Sequence, residues 1–175
     1  MSPRLRLATV WLTGCSGCHM ALLDLDDWLF ELARFAEIVY SPIANDRKTF
    51  PTDVDVTLVE GAVATTANLE LARTLRRCSH VVVSFGDCAV SGNVPALRNL
   101  FAREAVLDRA YGELADGCAR RLSARSMQPC QQLLERVLPL HAVIDVDRFV
   151  PGCPPPVGCI RALLEGLRRG GGAAP

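Results

Sequence analysis

The chain has 175 residues, enough for about one domain, and its 19 basic and 19 acidic side chains cancel. This balance argues against a nucleic-acid-binding protein, which would carry a basic excess. No apolar run approaches the ~18 residues of a membrane span. Eight cysteines are fewer than a disulfide scaffold requires. The apolar stretch 7–12 is shorter than the ~7 to 15 residues of a signal-peptide core, so we expect a cytoplasmic protein. In that reducing compartment such cysteines indicate metal ligands or buried thiols.

Apolar and β-branched runs alternate with helical patterns along the chain. We predict strands at 4–13, 38–43, 54–59, 80–85 and 143–150. Apolar spacing predicts helices at 18–35, 68–77, 95 to about 111, 130–138 and 158–168. Strands that alternate with helices predict an α/β fold, a flavodoxin-like doubly wound parallel sheet of about five strands with helices on both faces. We expect residues 1–170 to form this single domain and 171–175 to be a flexible tail.

Cysteines follow three of the predicted strands. Cys15 and Cys18 come after the first strand, Cys88 after the fourth and Cys153 after the last, while Glu60 follows the third. Because the carboxyl ends of parallel strands share one edge, the four cysteines are expected to converge. Four thiolates suit either zinc or an iron-sulfur cluster. Structural zinc usually uses two short cysteine pairs, and here there is one, which favours the cluster.

The residues around these cysteines fit the same interpretation. Four glycines leave room for a bulky inorganic group: Gly14, Gly17, Gly86 and Gly152. Pro154 begins a run of three prolines that stiffens the chain after Cys153. We predict that these five residues and Glu60 line the cofactor site. His19 is interpreted as a helix residue that makes a hydrogen bond, not as a ligand.

Other residues are given no place in the site. Four further cysteines lie away from the strand ends: Cys78, Cys118, Cys130 and Cys159. Cys118→Ser is accordingly expected to leave the metal site and its activity almost unchanged. Leu97, Leu100 and Phe101 form a helical apolar stripe that we assign to the core in preference to a partner interface.

Four motifs carry a resemblance to a known family. In chain order they are Gly14-Cys15-Ser16-Gly17-Cys18-His19, Val59-Glu60-Gly61, Gly86-Asp87-Cys88-Ala89 and Pro151-Gly152-Cys153-Pro154-Pro155. Together they resemble the small, electron-transferring subunit of [NiFe] hydrogenases. The first and third motifs look most like the cytosolic, bidirectional NAD(P)-reducing type. The resemblance extends from residue 5 to about residue 165.

The resemblance implies that Cys15, Cys18, Cys88 and Cys153 hold one proximal [4Fe-4S] cluster. It further implies a NiFe centre in a partner large subunit and a diaphorase module with FMN and iron-sulfur centres that reduces NAD(P). This chain would transfer electrons and contain no catalytic residue for hydrogen cleavage. Larger members have a leader and a domain with two more clusters. The sequence shows neither, so we expect a single cluster in the cytoplasm.

Four alternatives remain. A complex I-like cluster subunit is similar in fold and last motif, but its first two ligands are adjacent, whereas here Ser16 and Gly17 intervene. A flavodoxin-like module could bind FMN at the same strand-end crevice, although residues 13–19 lack the hydroxyl-rich phosphate cradle of an FMN site. A zinc-stabilised interaction protein is the third alternative. The isolated C-x-x-C motif also fits a redox dithiol.

Overall fold

The computed structural model describes residues 4–110 and 132–168. Its strands are β1 Leu5–Trp11, β2 Ala36–Tyr40, β3 Val54–Glu60, β4 Val63–Thr65, β5 Ser79–Phe85, β6 Leu133–Leu138 and β7 Arg148–Val150. Its α-helices are α1 Gly17–Leu23, α2 Trp28–Phe35, α3 Thr66–Cys78, α4 Asp87–Ser91, α5 Asn93–Ala96, α6 Arg103–Asp108 and α7 Val157–Arg168. Short 3-10 helices occur at Leu97–Leu100 and Leu140–Ala142. The predicted tail at 171–175 lies outside the described residues.

Five strands form one parallel sheet in the order β2-β1-β3-β5-β7. Strands β4 and β6 form a separate antiparallel pair. With that pair set aside, the order is the one found in flavodoxin, and the predicted fold class is confirmed. The carboxyl ends of all five parallel strands therefore lie along one edge. No helix in the described ranges is long and apolar enough to cross a membrane.

Apolar side chains cover both faces of the sheet. Leu7 packs in the core on the side of α1, α2 and α7, whereas the next residue, Ala8, packs on the side of α3. Strand β3 is covered in the same way, and Leu58 and Val59 are both fully buried. Central strands buried on both faces have near-continuous apolar sequences, which is why these strands are evident in the sequence.

The helix predicted at 18–35 is two helices in the structure. Helix α1 ends at Leu23 and α2 begins at Trp28, and between them Asp26 adopts a left-handed conformation with φ of +46°. Aspartate is a poor helix former and tolerates this conformation better than most residues. The break directs Leu25 into the core, where it is 5% exposed. Burial of this leucine therefore outweighs the continuous helical pattern.

The prediction of a helix at 130–138 was wrong. Residues 133–138 form β6, which pairs with β4 so that Val63 lies opposite Leu138. The backbone N–H of Thr66 also donates to the carbonyl of Gln132 at 2.9 Å. This pairing joins segments about 70 residues apart, and local apolar spacing contains no information about it.

The helix predicted from 95 to about 111 is divided into α5, a 3-10 helix and α6. Asn99 uses its side chain to pair with the Val137 backbone, accepting from its N–H at 2.7 Å and donating to its carbonyl at 2.9 Å. Phe101 then adopts an extended conformation, which ends the 3-10 helix. The segment therefore follows β6 instead of continuing as one helix. Residue 111 lies outside the described residues.

The last strand is shorter than predicted, because residues 143–147 precede β7 as a loop. Asp147 fastens this loop to β5: its Oδ2 accepts the N–H of Val82 at 2.7 Å and pairs with Arg76 at 2.6 Å. Burial alone would raise the pKa of Asp147, but the Val82 N–H and the Arg76 guanidinium outweigh it and lower the pKa.

Asp147→Ala is expected to lower the free energy of unfolding by about 1 kcal/mol at pH 7, because the substitution removes the hydrogen bonds that this partly exposed carboxylate accepts. A carboxyl with a lowered folded-state pKa stabilises the protein above its unfolded pKa of about 3.9, and this stabilisation is lost as the pH falls through the folded value. The difference between wild type and Asp147→Ala should thus be constant from about pH 5 to 7 and shrink below about pH 4. Urea unfolding at several pH values measures it. An equal difference at every pH would contradict this assignment.

Candidate metal centre

The structure brings the four predicted cysteines together at the carboxyl edge of the sheet. Cys15 lies between β1 and α1, Cys88 in α4 just after β5, and Cys153 in the loop after β7. Cys18 lies in the first turn of α1, and its thiol is within electrostatic range of the other three. Residues far apart in the chain therefore share one site, as the parallel topology predicts.

The thiols differ in their exposure to solvent. Cys18 is 7% exposed, Cys88 is half-buried, and Cys15 and Cys153 are exposed. One side of the site therefore packs against the domain and the other opens at the surface. No disulfide joins the six described cysteines.

The remaining cysteines do not enter this group as far as the structure describes them. Cys78 ends α3 and Cys159 lies exposed in α7. Neither is among the groups that act on the Cys18 or Cys88 thiol. Cys118 and Cys130 lie outside the described residues.

Burial and the neighbouring acidic groups oppose ionisation of the Cys18 and Cys88 thiols. Burial raises the pKa of Cys18 to about 12, assisted by Glu60, Cys88, Cys15 and Cys153, in that order. The pKa of Cys88 is also raised, first by burial and then by Cys153, Cys15 and Glu60. Thiolates gathered in this way require a cation between them, and binding of that cation would displace the thiol protons. The donor set thus fits an iron-sulfur group.

Two predicted glycines are required by the backbone at this edge. Gly86 has φ of +86°, and a Cβ on it would overlap the Sγ of Cys18. Gly152 has φ of +132°, and a Cβ on it would lie 2.6 Å from the Cα of Pro155. A side chain at either position would therefore strain the backbone and displace a cysteine loop.

The other predicted lining residues lie in the same loops. A Cβ on Gly17 would be 3.2 Å from the Sγ of Cys15, and one on Gly14 would be 3.3 Å from the Cα of Gly61. Pro154 follows Cys153 directly and joins it through a cis peptide bond. The loops thus pack closely against one another and against the thiols.

Glu60 and His19 form a buried pair next to Cys18, which directly precedes His19 in the chain. Each is 1% exposed, and Glu60 Oε2 contacts His19 Nδ1 and accepts the His19 backbone N–H at 2.9 Å. The carboxylate at the end of β3 thus fixes the first turn of α1, where Cys18 lies. His19 makes a hydrogen bond, as predicted. Its Nε2 has no hydrogen-bond partner among the groups that the structure describes.

Asp87 is a site residue that the sequence analysis did not identify. Its Oδ1 accepts the backbone N–H of Gly152 at 2.7 Å, and its own N–H donates to the Gly152 carbonyl at 2.9 Å. Asp87 precedes Cys88 and Gly152 precedes Cys153, so this contact joins the start of α4 to the loop after β7, the two segments that carry these cysteines. The sequence did contain a signal for this role: a carboxylate two residues after a strand, next to a cysteine.

The apolar stripe assigned to the core is instead exposed. Leu97 is 61% exposed, Leu100 is 76% and Phe101 is 64%. These residues follow Cys88 in the chain, and the extended conformation at Phe101 turns the segment along β6. The core assignment was therefore wrong.

In the described ranges, no group of three or more His, Cys, Asp or Glu side chains is placed so that it could hold a metal ion.

The fold and the site define a class of protein: a flavodoxin-like α/β domain that presents four cysteines at the carboxyl edge of its sheet. The family model described as NADH ubiquinone oxidoreductase, 20 Kd subunit, matches residues 15–167, and the chain belongs to this family.

Individual relatives are hydrogenase subunits. The chain is 39% identical over 170 residues to a vhu subunit of the F420-non-reducing hydrogenase of Methanococcus voltae, covering 95% of this chain and 58% of that protein. It is 33% identical over 168 residues to the NAD-reducing hydrogenase HoxS subunit delta of Cupriavidus necator, covering 95% of this chain and 80% of that protein.

A solved structure agrees with these relatives. A chain in the crystal structure of NAD+-reducing [NiFe]-hydrogenase in the H2-reduced state superposes with a TM-score of 0.88 at 36% identity, covering 96% of this chain and 93% of that one. These matches confirm the predicted resemblance to hydrogenase small subunits. The chain nevertheless spans only 58% of the length of the Methanococcus relative.

Proposed function

We propose that this chain is the small subunit of a [NiFe] hydrogenase and that Cys15, Cys18, Cys88 and Cys153 hold one [4Fe-4S] cluster. When bound, the cluster supplies one-electron transfer between a NiFe centre in a partner large subunit and an NAD(P)-reducing module with FMN and iron-sulfur centres. Hydrogen cleavage belongs to the partner, and this chain contributes the site and its surroundings. The proposal places the complex in the cytoplasm.

One observation carries the proposal: the buried Cys18 thiol lies among Cys15, Cys88 and Cys153, which come from three separate strand ends. Four convergent thiols are the usual ligand set of a [4Fe-4S] cluster. The 0.88 TM-score to a chain of an NAD+-reducing hydrogenase supports the same role.

The surroundings of the thiols are suited to a rigid site. Glu60 holds the first turn of α1, which carries Cys18, and Asp87 joins the start of α4, which carries Cys88, to the loop that carries Cys153. Both contacts use backbone N–H groups, which have fixed positions in the fold. A rigid ligand shell limits the structural rearrangement that accompanies a change of oxidation state.

The open side of the site supports the proposed large-subunit partner. Cys15 and Cys153 are exposed there, and the exposed Leu97, Leu100 and Phe101 follow Cys88. Exposed large apolar side chains grouped in one segment are characteristic of interaction surfaces. A subunit that covers this edge would exclude water from the thiols and bring its own redox centre close.

A second candidate differs in the electron acceptor. The Methanococcus relative belongs by name to a F420-non-reducing hydrogenase and is more similar to this chain than the NAD-reducing relative, at 39% against 33% identity. That name excludes F420 as the acceptor of the relative and specifies no other, so the second candidate is a hydrogenase small subunit of the same kind whose acceptor is a carrier other than NAD(P). The complex I-like alternative rests on the family description, but the Ser16-Gly17 spacer between the first two cysteines argues against it.

Iron and sulfide analysis of the full chain, purified without oxygen, tests the proposed cofactor. We expect about four iron and four acid-labile sulfide per chain, with a broad absorption shoulder at about 400 nm that bleaches on reduction by dithionite. Removal of iron with a chelator should abolish the shoulder but leave the chain folded, because a core of this size does not need a metal.

The same measurement separates the alternatives. Paired flavin absorption bands without iron would support the FMN module. Zinc without sulfide would support the zinc-stabilised protein. Either result would overturn the cluster assignment. A purified complex that oxidises hydrogen without reducing NAD(P) would overturn only the proposal that NAD(P) is the electron acceptor.

A further inference from the structure

The start of α4, which carries Cys88, and the loop that carries Cys153 are joined by a reciprocal pair of hydrogen bonds. Asp87 Oδ1 accepts the Gly152 N–H at 2.7 Å, and the Asp87 N–H donates to the Gly152 carbonyl at 2.9 Å. The N–H of Gly86 also donates to the carbonyl of Val150 at 2.8 Å. The contact therefore extends the pairing of β5 with β7 beyond the ends of both strands.

The loop that carries Cys153 depends on this contact. Strand β7 has three residues and stands at the end of the sheet order, so among the described strands it pairs with β5 alone. Gly152 has no side chain with which to anchor the turn, and its φ of +132° excludes most other residues. The carboxylate of Asp87 thus supplies an anchor that the sheet itself does not.

We propose that Asp87 is a positioning residue that fixes the Cys153 loop relative to Cys88 and so sets the spacing of two ligands of the metal centre. This inference rests on the proposed function, because it concerns the same four cysteines. Asp87 acts through the Gly152 backbone and is not itself a ligand.

The fold contains a matched control. Asp147 also accepts a backbone N–H across β5 and β7, from Val82 at 2.7 Å, but it lies at the opposite end of β7 from Cys153. Loss of either carboxylate removes one anchor between the same two strands. Only loss of Asp87 alters the loop next to a cysteine ligand.

The experiment compares wild type, Asp87→Ala, Asp87→Asn and Asp147→Ala as full chains, reconstituted without oxygen with ferrous iron and sulfide. Iron retained after gel filtration, the electron paramagnetic resonance spectrum of the reduced cluster and its midpoint potential are measured. We expect Asp87→Ala to retain less than about half of the wild-type iron and to show an altered spectrum. Asp147→Ala should match wild type in iron and spectrum while unfolding at lower urea.

Asp87→Asn keeps an oxygen that can accept the Gly152 N–H but removes the negative charge. We expect it to restore the iron content and to raise the midpoint potential, since the reduced cluster is more negative. Unchanged iron and spectrum in Asp87→Ala, or equal losses in Asp87→Ala and Asp147→Ala, would overturn the positioning role. If Asp87→Ala does not fold, Asp87→Asn decides, because failure to retain iron in that folded variant would also overturn it. Wild type without iron would instead refute the proposed function.

Discussion

Cys88→Ala should yield a folded chain that retains almost no iron or sulfide after anaerobic reconstitution. The substitution leaves three of the four thiols, and the exposed Cys15 and Cys153 would then have to hold the cluster with less support from the buried side. The fold should survive because β5 and its neighbours are held by apolar packing on both faces. Iron, sulfide and circular dichroism measured on one preparation test both statements.

Cys159→Ser is the matched control for Cys88→Ala. Cys159 is also a free cysteine, but it is exposed in α7 and is not among the groups acting on Cys18 or Cys88. The Cys159→Ser variant should retain iron at the wild-type level. Iron retained by Cys88→Ala, or lost by Cys159→Ser, would show that the ligand assignment is wrong.

Glu60→Ala should reduce the free energy of unfolding of the reduced, metal-free chain by about 3 to 5 kcal/mol. Glu60 and His19 are each 1% exposed, so removal of the carboxylate leaves the His19 backbone N–H and ring nitrogen buried without a partner. Glu60→Gln should lose less, about 1 to 3 kcal/mol, because its amide oxygen can still accept the His19 N–H. Urea unfolding with a thiol reductant measures both changes.

Glu37→Ala provides the comparison for Glu60→Ala. Glu37 pairs with Arg4 at 3.3 Å, but both side chains are about half exposed. An exposed pair contributes at most about 1 kcal/mol because water screens it. If Glu60→Ala cost no more than Glu37→Ala, the buried pair would not be what stabilises the first turn of α1.

The residues at the carboxyl edge of the sheet have different roles. The cysteines provide the donors, the glycines permit the loops to approach, and Glu60 and Asp87 hold two of the loops through backbone N–H groups. The proposed cluster would therefore bind to loops whose positions the protein fold already restricts. Substitutions at the three positions should therefore have different effects. Cys88→Ala should lose the iron, Glu60→Ala should lower the free energy of unfolding, and Asp87→Ala should disturb the spacing of two ligands.

The sheet and the location of the site follow from the amino-acid sequence alone. Strands β1, β3 and β5 are buried on both faces, so their apolar runs are continuous and visible without a structure. Once β1, β5 and the last strand, β7, are parallel, the cysteines that follow these three strands must meet at one edge. The gathering of Cys15, Cys18, Cys88 and Cys153 was therefore predictable from order alone.

Other features depend on contacts between distant segments and are known only from the folded chain. Strand β6 exists because it pairs with β4, and Leu97, Leu100 and Phe101 are exposed because Asn99 and the extended Phe101 direct their segment along β6. The contacts of Asp87 with Gly152 and of Glu60 with His19 span 65 and 41 residues. The spacing of apolar residues predicts which face of a helix or strand is buried. It does not predict which distant backbone group a carboxylate will bind.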